Sequence, residues 1–132
     1  MKEETKSWLL FAESDIVAAR NLLQNRVVPN VILFHCHQCI EKSIKAVLAQ
    51  NNIEIPRIHG VLRLNEIMSK LIKYHSILTN EELNEIDDIY IDTRYPGTTG
   101  ILPGGNPDLK DAEYFYKLAE KFYMDINKLL GI

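Results

Sequence analysis

Apolar residues recur every three or four positions along almost the whole chain, and this period is the feature that most limits its fold. Trp8, Ala12, Ile16 and Ala19 form one such stripe within residues 5–26. A period of 3.6 residues puts these side chains on one side of a helix, whereas a strand requires strict alternation, which no segment shows. The chain is therefore predicted to be all-α.

Start and stop signals divide this pattern into helices. Pro29 suits the first turn of a second helix, because its missing N–H costs nothing there, and this helix is predicted to end near Gln50. A third helix fits residues 61–75. Thr79 and Glu82 have the spacing of a capping box, so a fourth helix is predicted to begin there.

The segment YPGTTGILPGGNP, residues 95–107, holds three prolines and four glycines in thirteen positions, and no helix tolerates that composition. Asp108 can cap a last helix, and Gly131 is a plausible stop after it. The prediction is a single domain over residues 1–132, an antiparallel bundle of about five helices with one long Gly/Pro-rich loop before the last helix. Such a loop is either a disordered surface excursion or a functional segment, and the position of Arg94 and Tyr95 at its start favours function.

Charge and composition exclude several classes of protein. The net charge of −3 argues against broad nucleic-acid binding through overall charge, although it is compatible with a local basic patch. No run approaches the roughly 18–20 apolar residues that span a bilayer, and the N-terminus lacks the pattern of a secretory signal. Two cysteines three positions apart do not make a disulfide framework. A cytoplasmic protein without membrane contact is expected.

Residues 34–46, FHCHQCIEKSIKA, hold two histidines and two cysteines within five positions and raise the question of a metal site. On a helix, His35, Cys36 and His37 point in different directions, and the pair His35 and Cys39 supplies only two ligands. Cys36 and Cys39 fall on the apolar side, where cysteine packs as a small hydrophobe. No metal and no organic cofactor is predicted.

The opposite side of the same helix is polar. Glu41 and Lys45 are four positions apart and can pair, as can Gln38 and Lys42. The chemistry alone favours a solvated face with ion pairs, while the width of the apolar side favours a strip that borders a groove or another subunit. Asp15, beside the apolar stripe of the first helix, needs a partner.

Four segments together resemble one known family. HCHQCIEKSIKA is similar to the His-x-x-Gln-x-x-Glu-Lys-x-x-Lys-Ala core of the second helix of HEPN domains. FAESDIVAARNLL resembles their first helix, PRIHGVLRL the Pro-x-x-His segment that opens their third helix, and IDTRYPG the Arg-Tyr-Pro segment after their fourth helix. The resemblance covers nearly the whole chain, and these motifs occur in the same order.

The resemblance implies a small helical bundle that works as a symmetric homodimer, in many members beside a minimal nucleotidyltransferase in a toxin–antitoxin-like pair. Some HEPN proteins are metal-independent endoribonucleases that use an Arg followed four to six residues later by a His. The arginine of that motif falls on Arg94, but no histidine follows it at that distance. Because RNA cleavage needs a group that moves protons near neutral pH, His35 or His59 would have to take its place.

Three functions are consistent with these residues. In a binding module, basic side chains contact the phosphates of a nucleotide or RNA, and Tyr95 stacks on a base. Alternatively, Arg94 pairs with Asp15 or Glu41 and only anchors the loop. The second function is an endoribonuclease with a displaced histidine, and the third is a non-catalytic partner of a nucleotidyltransferase. The predicted ligand-binding residues are Gln38, Glu41, Lys42, Lys45, Arg94 and Tyr95, and the candidate catalytic residues are Arg94, His35 and His59.

Overall fold

The computed structural model describes residues 1–94 and 106–132, and of residues 92–94 it describes the backbone alone. These residues form five α-helices and contain no strand, which confirms the all-α prediction. No helix in the described ranges is long and apolar enough to cross a membrane. The helices are α1 (Glu3–Gln24), α2 (Pro29–Gln50), α3 (Val61–Ile72), α4 (Asn80–Arg94) and α5 (Leu109–Leu129).

The predicted helix signals act as expected. Thr79 and Glu82 exchange the two hydrogen bonds of a capping box, with distances of 3.1 and 2.9 Å, at the start of α4. Asp108 caps α5 and exchanges the same kind of bonds with Asp111. Gly131, two residues after the end of α5, has a φ of +82°, a conformation that glycine adopts without strain.

The third helix is shorter than predicted. It ends at Ile72 rather than residue 75, because Lys73 adopts a left-handed conformation with a φ of 54°. The backbone N–H of Tyr74 then donates to the carbonyl of Ser69, which closes the last turn.

The predicted loop over residues 95–107 lies between α4 and α5 in the chain order. Its residues 95–105 lie outside the described residues, as do the side chain of Arg94 and the whole of Tyr95. The two candidate residues at the start of this loop are therefore placed only by the backbone of Arg94, the last residue of α4.

The second helix is the centre of the bundle, since it contacts each of the other four helices. Cys36 and Cys39 are at most 1% exposed, which confirms that the cysteines pack in the core. Because α2 is covered on most sides, its polar side chains are also drawn into the interior. The largest fully buried side chains that surround it include Ile16, Leu64, Met68, Leu83, Ile86, Phe122 and Ile126.

A carboxylate of α4 joins three helices. Gly60, the residue before α3, has no side chain to cap the first N–H groups of the helix. Asp87 instead accepts hydrogen bonds from the N–H groups of Val61 and Leu62 at 2.8 and 3.1 Å. Asp87 Oδ1 also lies 2.9 Å from Nε2 of His37, whose side chain is 1% exposed. One carboxylate therefore satisfies the end of α3 and a buried imidazole of α2.

Replacement of this carboxylate tests its structural role. Asp87→Ala removes the cap and leaves the buried His37 without its partner, so the free energy of unfolding should fall by about 2–4 kcal/mol. Urea denaturation followed by circular dichroism measures this loss. Glu85→Ala, an exposed acid on the same helix, is the matched control and should change stability by less than about 0.5 kcal/mol. Equal effects of the two variants would show that Asp87 has no special role.

Candidate functional site

The partner that Asp15 requires comes from α2. Asp15 is 6% exposed, and its Oδ2 accepts a hydrogen bond from Nζ of Lys42 at 2.6 Å, while its Oδ1 lies 2.8 Å from Nδ1 of His35. The side chains of Lys42 and His35 are 23% and 25% exposed. A carboxylate that is almost buried thus holds two basic groups at the surface, in the groove between α1 and α2.

Gln38 and Lys42 do not form a direct side-chain hydrogen bond. Lys42 is drawn to Asp15 of the neighbouring helix instead, because a carboxylate is a stronger acceptor for an ammonium than a neutral amide. Nε2 of Gln38 lies 3.4 Å from Nδ1 of the adjacent His37, a long contact. Gln38 remains partly exposed, one turn from Lys42 on the same helix.

The predicted pairing of Glu41 with Lys45 is present, with Nζ 3.0 Å from Oε2. The expectation of a solvated face is wrong at these two positions, because their side chains are only 6% and 7% exposed. The ammonium of Lys45 lies 5.4 Å from the ring centroid of Trp8, so the first turns of α1 cover this part of α2. Glu41 Oε1 is buried, and no described residue donates a hydrogen bond to it.

His59 stands at the exposed edge of this buried pair. Its side chain is 73% exposed, and Nδ1 lies 3.6 Å from Oε2 of Glu41. It does not cap α3, since Asp87 occupies that role. His35 and His59 therefore face different carboxylates, Asp15 and Glu41. We refer to Asp15, His35, Glu41, Lys42, Lys45 and His59 as the polar cluster.

Aromatic rings border the polar cluster on the outside. Phe11 is 55% exposed, and its ring centroid lies 5.8 Å from Nζ of Lys42. Phe34 is 37% exposed, meets the ring of His35 edge-on at 5.3 Å and stacks on Tyr90 at 6.0 Å. Because Tyr90 belongs to α4, this stack brings the last part of α4 beside the cluster, with the backbone of Arg94 one turn further along the helix.

The two cysteines take no part in this site. Burial raises the pKa of the Cys36 thiol to about 12 and that of Cys39 well above its usual value. Both thiols are therefore protonated at neutral pH, in the form that is neither a nucleophile nor a metal ligand. Within the ranges that the structure describes, no three side chains of His, Cys, Asp or Glu are placed to hold a metal ion.

Comparisons with known proteins agree with this fold. A model of the family described as HEPN domain matches residues 5–129. Among solved structures, ST0689, described as an archaeal HEPN homologue, covers 98% of both chains with a TM-score of 0.70 and 22% identity. TT1696 from Thermus thermophilus covers 96% of this chain and 98% of its own, with a TM-score of 0.74 and 20% identity. No curated protein matches the sequence.

The five-helix bundle thus belongs to a known class of domain. Since the family model spans nearly the whole chain, the protein belongs to the HEPN family, whose members are nucleotide- and RNA-related modules. The two solved structures support the fold alone at these identities.

Sequence reasoning missed the aromatic border and the buried His37–Asp87 pair. Phe11 and Asp15 lie one turn apart, so a helical wheel places this ring beside the carboxylate. Phe34 has the same spacing from Gln38. No local signal could have joined His37 to Asp87, which are 50 positions apart in the chain.

The protonation state of the cysteines can be checked directly. The native protein should react with a disulfide reagent such as DTNB at least about a hundredfold more slowly than the urea-unfolded protein, because both thiols are buried and their pKa values are raised. The absorbance of the released chromophore measures the rate of the thiol reaction. Fast reaction of either cysteine in the native protein would contradict their assignment to the core.

Proposed function

We propose that this HEPN protein binds nucleotides or single-stranded RNA at the polar cluster. One observation carries the proposal: Lys42 and His35 converge on the buried Asp15 and remain at the surface between two exposed aromatic rings. Cations that hold phosphate, with rings on which bases stack, are the two elements by which proteins bind single strands. The family of the chain supports the same class of ligand.

The chemistry of Lys42 suits this role. An ammonium has three hydrogens, and Asp15 takes one of them at 2.6 Å. The others can donate to phosphate oxygens, and the side chain is already held in one direction by the carboxylate, which lowers the entropy lost on binding. Gln38, partly exposed one turn away, adds an amide that donates to phosphate or to a base edge.

The remaining predicted ligand-binding residues divide into two groups. Glu41 and Lys45 are buried against each other, so their proposed role is to hold the shape of the groove rather than to contact the ligand. Arg94 and Tyr95 are proposed to approach from the end of α4, where the guanidinium adds the positive charge that the cluster itself lacks and the phenol ring stacks. The cluster has two lysines against two carboxylates, so a phosphate ligand requires such an addition.

The proposal is tested by binding of AMP and of a fluorescent hexanucleotide RNA. Lys42→Gln and Arg94→Ala should each weaken both affinities by about tenfold or more, because a hydrogen bond to a charged group contributes about 1.5–3 kcal/mol. Isothermal titration calorimetry and fluorescence anisotropy provide the dissociation constants, and circular dichroism verifies folding. Lys70→Gln, an exposed lysine of α3, is the matched control. Unchanged affinities in both variants would refute binding at this site.

A second candidate function, metal-independent RNA cleavage, is favoured by the contact of Asp15 with His35. A carboxylate that accepts the Nδ1 hydrogen leaves Nε2 as the basic nitrogen, which is the arrangement of a general base. In this reaction His35 takes the proton of a ribose 2′-hydroxyl, the 2′-oxygen attacks the adjacent phosphorus, and the bond to the 5′-oxygen breaks. The departing oxygen takes a proton from a second acid, for which His59 is the candidate.

Cleavage is tested with labelled single-stranded RNA in EDTA. If the second function operates, the wild type yields 2′,3′-cyclic phosphate ends, and His35→Ala or Arg94→Ala lowers the rate by about 100-fold or more, since general acid–base catalysis contributes about 10²–10⁴-fold. His75→Ala, which alters an exposed histidine between α3 and α4, should retain the wild-type rate. Absence of products with the wild type would leave binding as the function.

We also propose that the protein forms a homodimer and acts with a minimal nucleotidyltransferase in a toxin–antitoxin-like pair, as the family resemblance implies. The nucleotidyltransferase partner stays a prediction from the resemblance.

A further inference from the structure

One face of α5 carries a row of lysines that the proposed function does not use. Six exposed residues follow one another at intervals of four, three, four, three and four positions, which keeps them within one narrow stripe of the helix. Four of them are lysines, and none is acidic. We call this stripe the basic ridge: Lys110, Tyr114, Lys117, Lys121, Met124 and Lys128.

Three of the four acidic residues of α5 pair with other parts of the bundle rather than with the basic ridge, and the fourth, Asp111, accepts a hydrogen bond from the backbone N–H of Asp108. Glu113 pairs with Arg26 at 3.6 Å, and Glu120 with Arg20 at 3.8 Å, both toward α1. On the opposite flank, Asp125 accepts the hydroxyl of Tyr74. Within the described part of the chain, no ion pair or hydrogen bond engages the side chains of Lys117, Lys121 or Lys128.

Three of the four lysines of the ridge, Lys117, Lys121 and Lys128, lie in its last twelve positions. At the other end, the pKa of Tyr114 is raised by burial and also by Glu85 and Glu82 of α4, so acidic groups lie near that ring. Lys117 and Lys128 are eleven positions apart, which corresponds to roughly 16 Å along a helix. In a protein of net charge −3, such a stripe is a local exception.

We propose that the basic ridge binds the phosphate backbone of single-stranded RNA and extends the RNA contact beyond the polar cluster. The inference rests on the proposed function, since it supplies a second contact for the same ligand. The ridge faces away from α2, because the opposite side of α5 packs into the core. RNA longer than a few nucleotides therefore gains contacts that a mononucleotide cannot reach.

Two observations favour RNA over an anionic membrane or an acidic protein. Phe115 and Phe122 of α5 are at most 5% exposed, and its exposed aliphatic side chains, Met124 and Leu129, are too few to form an apolar face that inserts into lipid. A single narrow row of cations follows one phosphate backbone, and the 45% exposed ring of Tyr114 at its end offers a stacking surface.

The test compares two triple variants that each remove three positive charges. Lys117→Gln/Lys121→Gln/Lys128→Gln alters the ridge, and Lys2→Gln/Lys6→Gln/Lys70→Gln alters exposed lysines elsewhere. Fluorescence anisotropy with a labelled 20-nucleotide RNA between 50 and 200 mM KCl provides log Kd against log salt concentration. The ridge variant should bind RNA about tenfold or more weakly at 50 mM, with a slope lower by about two, since each lost phosphate contact removes about 0.7 from the slope for single strands.

Further arms separate this inference from the proposed function. AMP affinity should be equal in the ridge variant and the wild type, whereas Lys42→Gln lowers it. If RNA binding depends on the ridge but AMP does not bind, the proposed binding site at the polar cluster would be refuted, and RNA binding by the ridge would be supported. Equal RNA affinities and slopes of the two triple variants would refute RNA binding by the ridge. Binding to phosphatidylglycerol vesicles is measured in parallel, and a loss in the ridge variant that affects vesicle binding alone would also refute it. Thermal unfolding establishes that both triple variants are folded.

Discussion

A central helix that carries charged side chains must find a partner for each of them, and the bundle is arranged around this constraint on α2. The free-energy cost of an unpaired charge in the interior is far larger than the contribution of any single packing contact. The neighbouring helices therefore supply side chains of opposite charge. Asp15 of α1 meets Lys42 and His35, and Asp87 of α4 meets His37. These polar contacts fix how α1 and α4 lie against α2, while the apolar core supplies most of the stability.

The two carboxylates of the polar cluster have different roles because their partners differ in exposure. Glu41 and Lys45 are both buried, so their pair contributes to the shape of the groove and has little access to a ligand. Asp15 is buried as deeply, but its partners reach the surface. A buried carboxylate that positions exposed basic groups is the arrangement expected of a binding or proton-transfer site. The basic groups of this family member that reach the surface therefore lie at the α1–α2 interface, whereas the cysteines of the motif lie in the core.

How far the sequence could predict the site depended on the distance between partners in the chain. Glu41 and Lys45 lie one turn apart on one helix, so their pair followed from spacing alone. Lys42 had a plausible local partner in Gln38, and only the approach of α1 gave it a stronger one in Asp15. The packing of α1 against α2 also buried Lys45 beneath Trp8, which a helical wheel of α2 could not show.

The sequence by itself determined the helices, their caps and the inward side of each, because these depend on a period of 3.6 residues and on neighbours within one turn. It also determined that Cys36 and Cys39 are core residues, which their position on the apolar side required. Only the tertiary structure decided which charges are buried and which basic groups meet Asp15. Those contacts join residues 20 to 50 positions apart, and their geometry is set by how the helices pack.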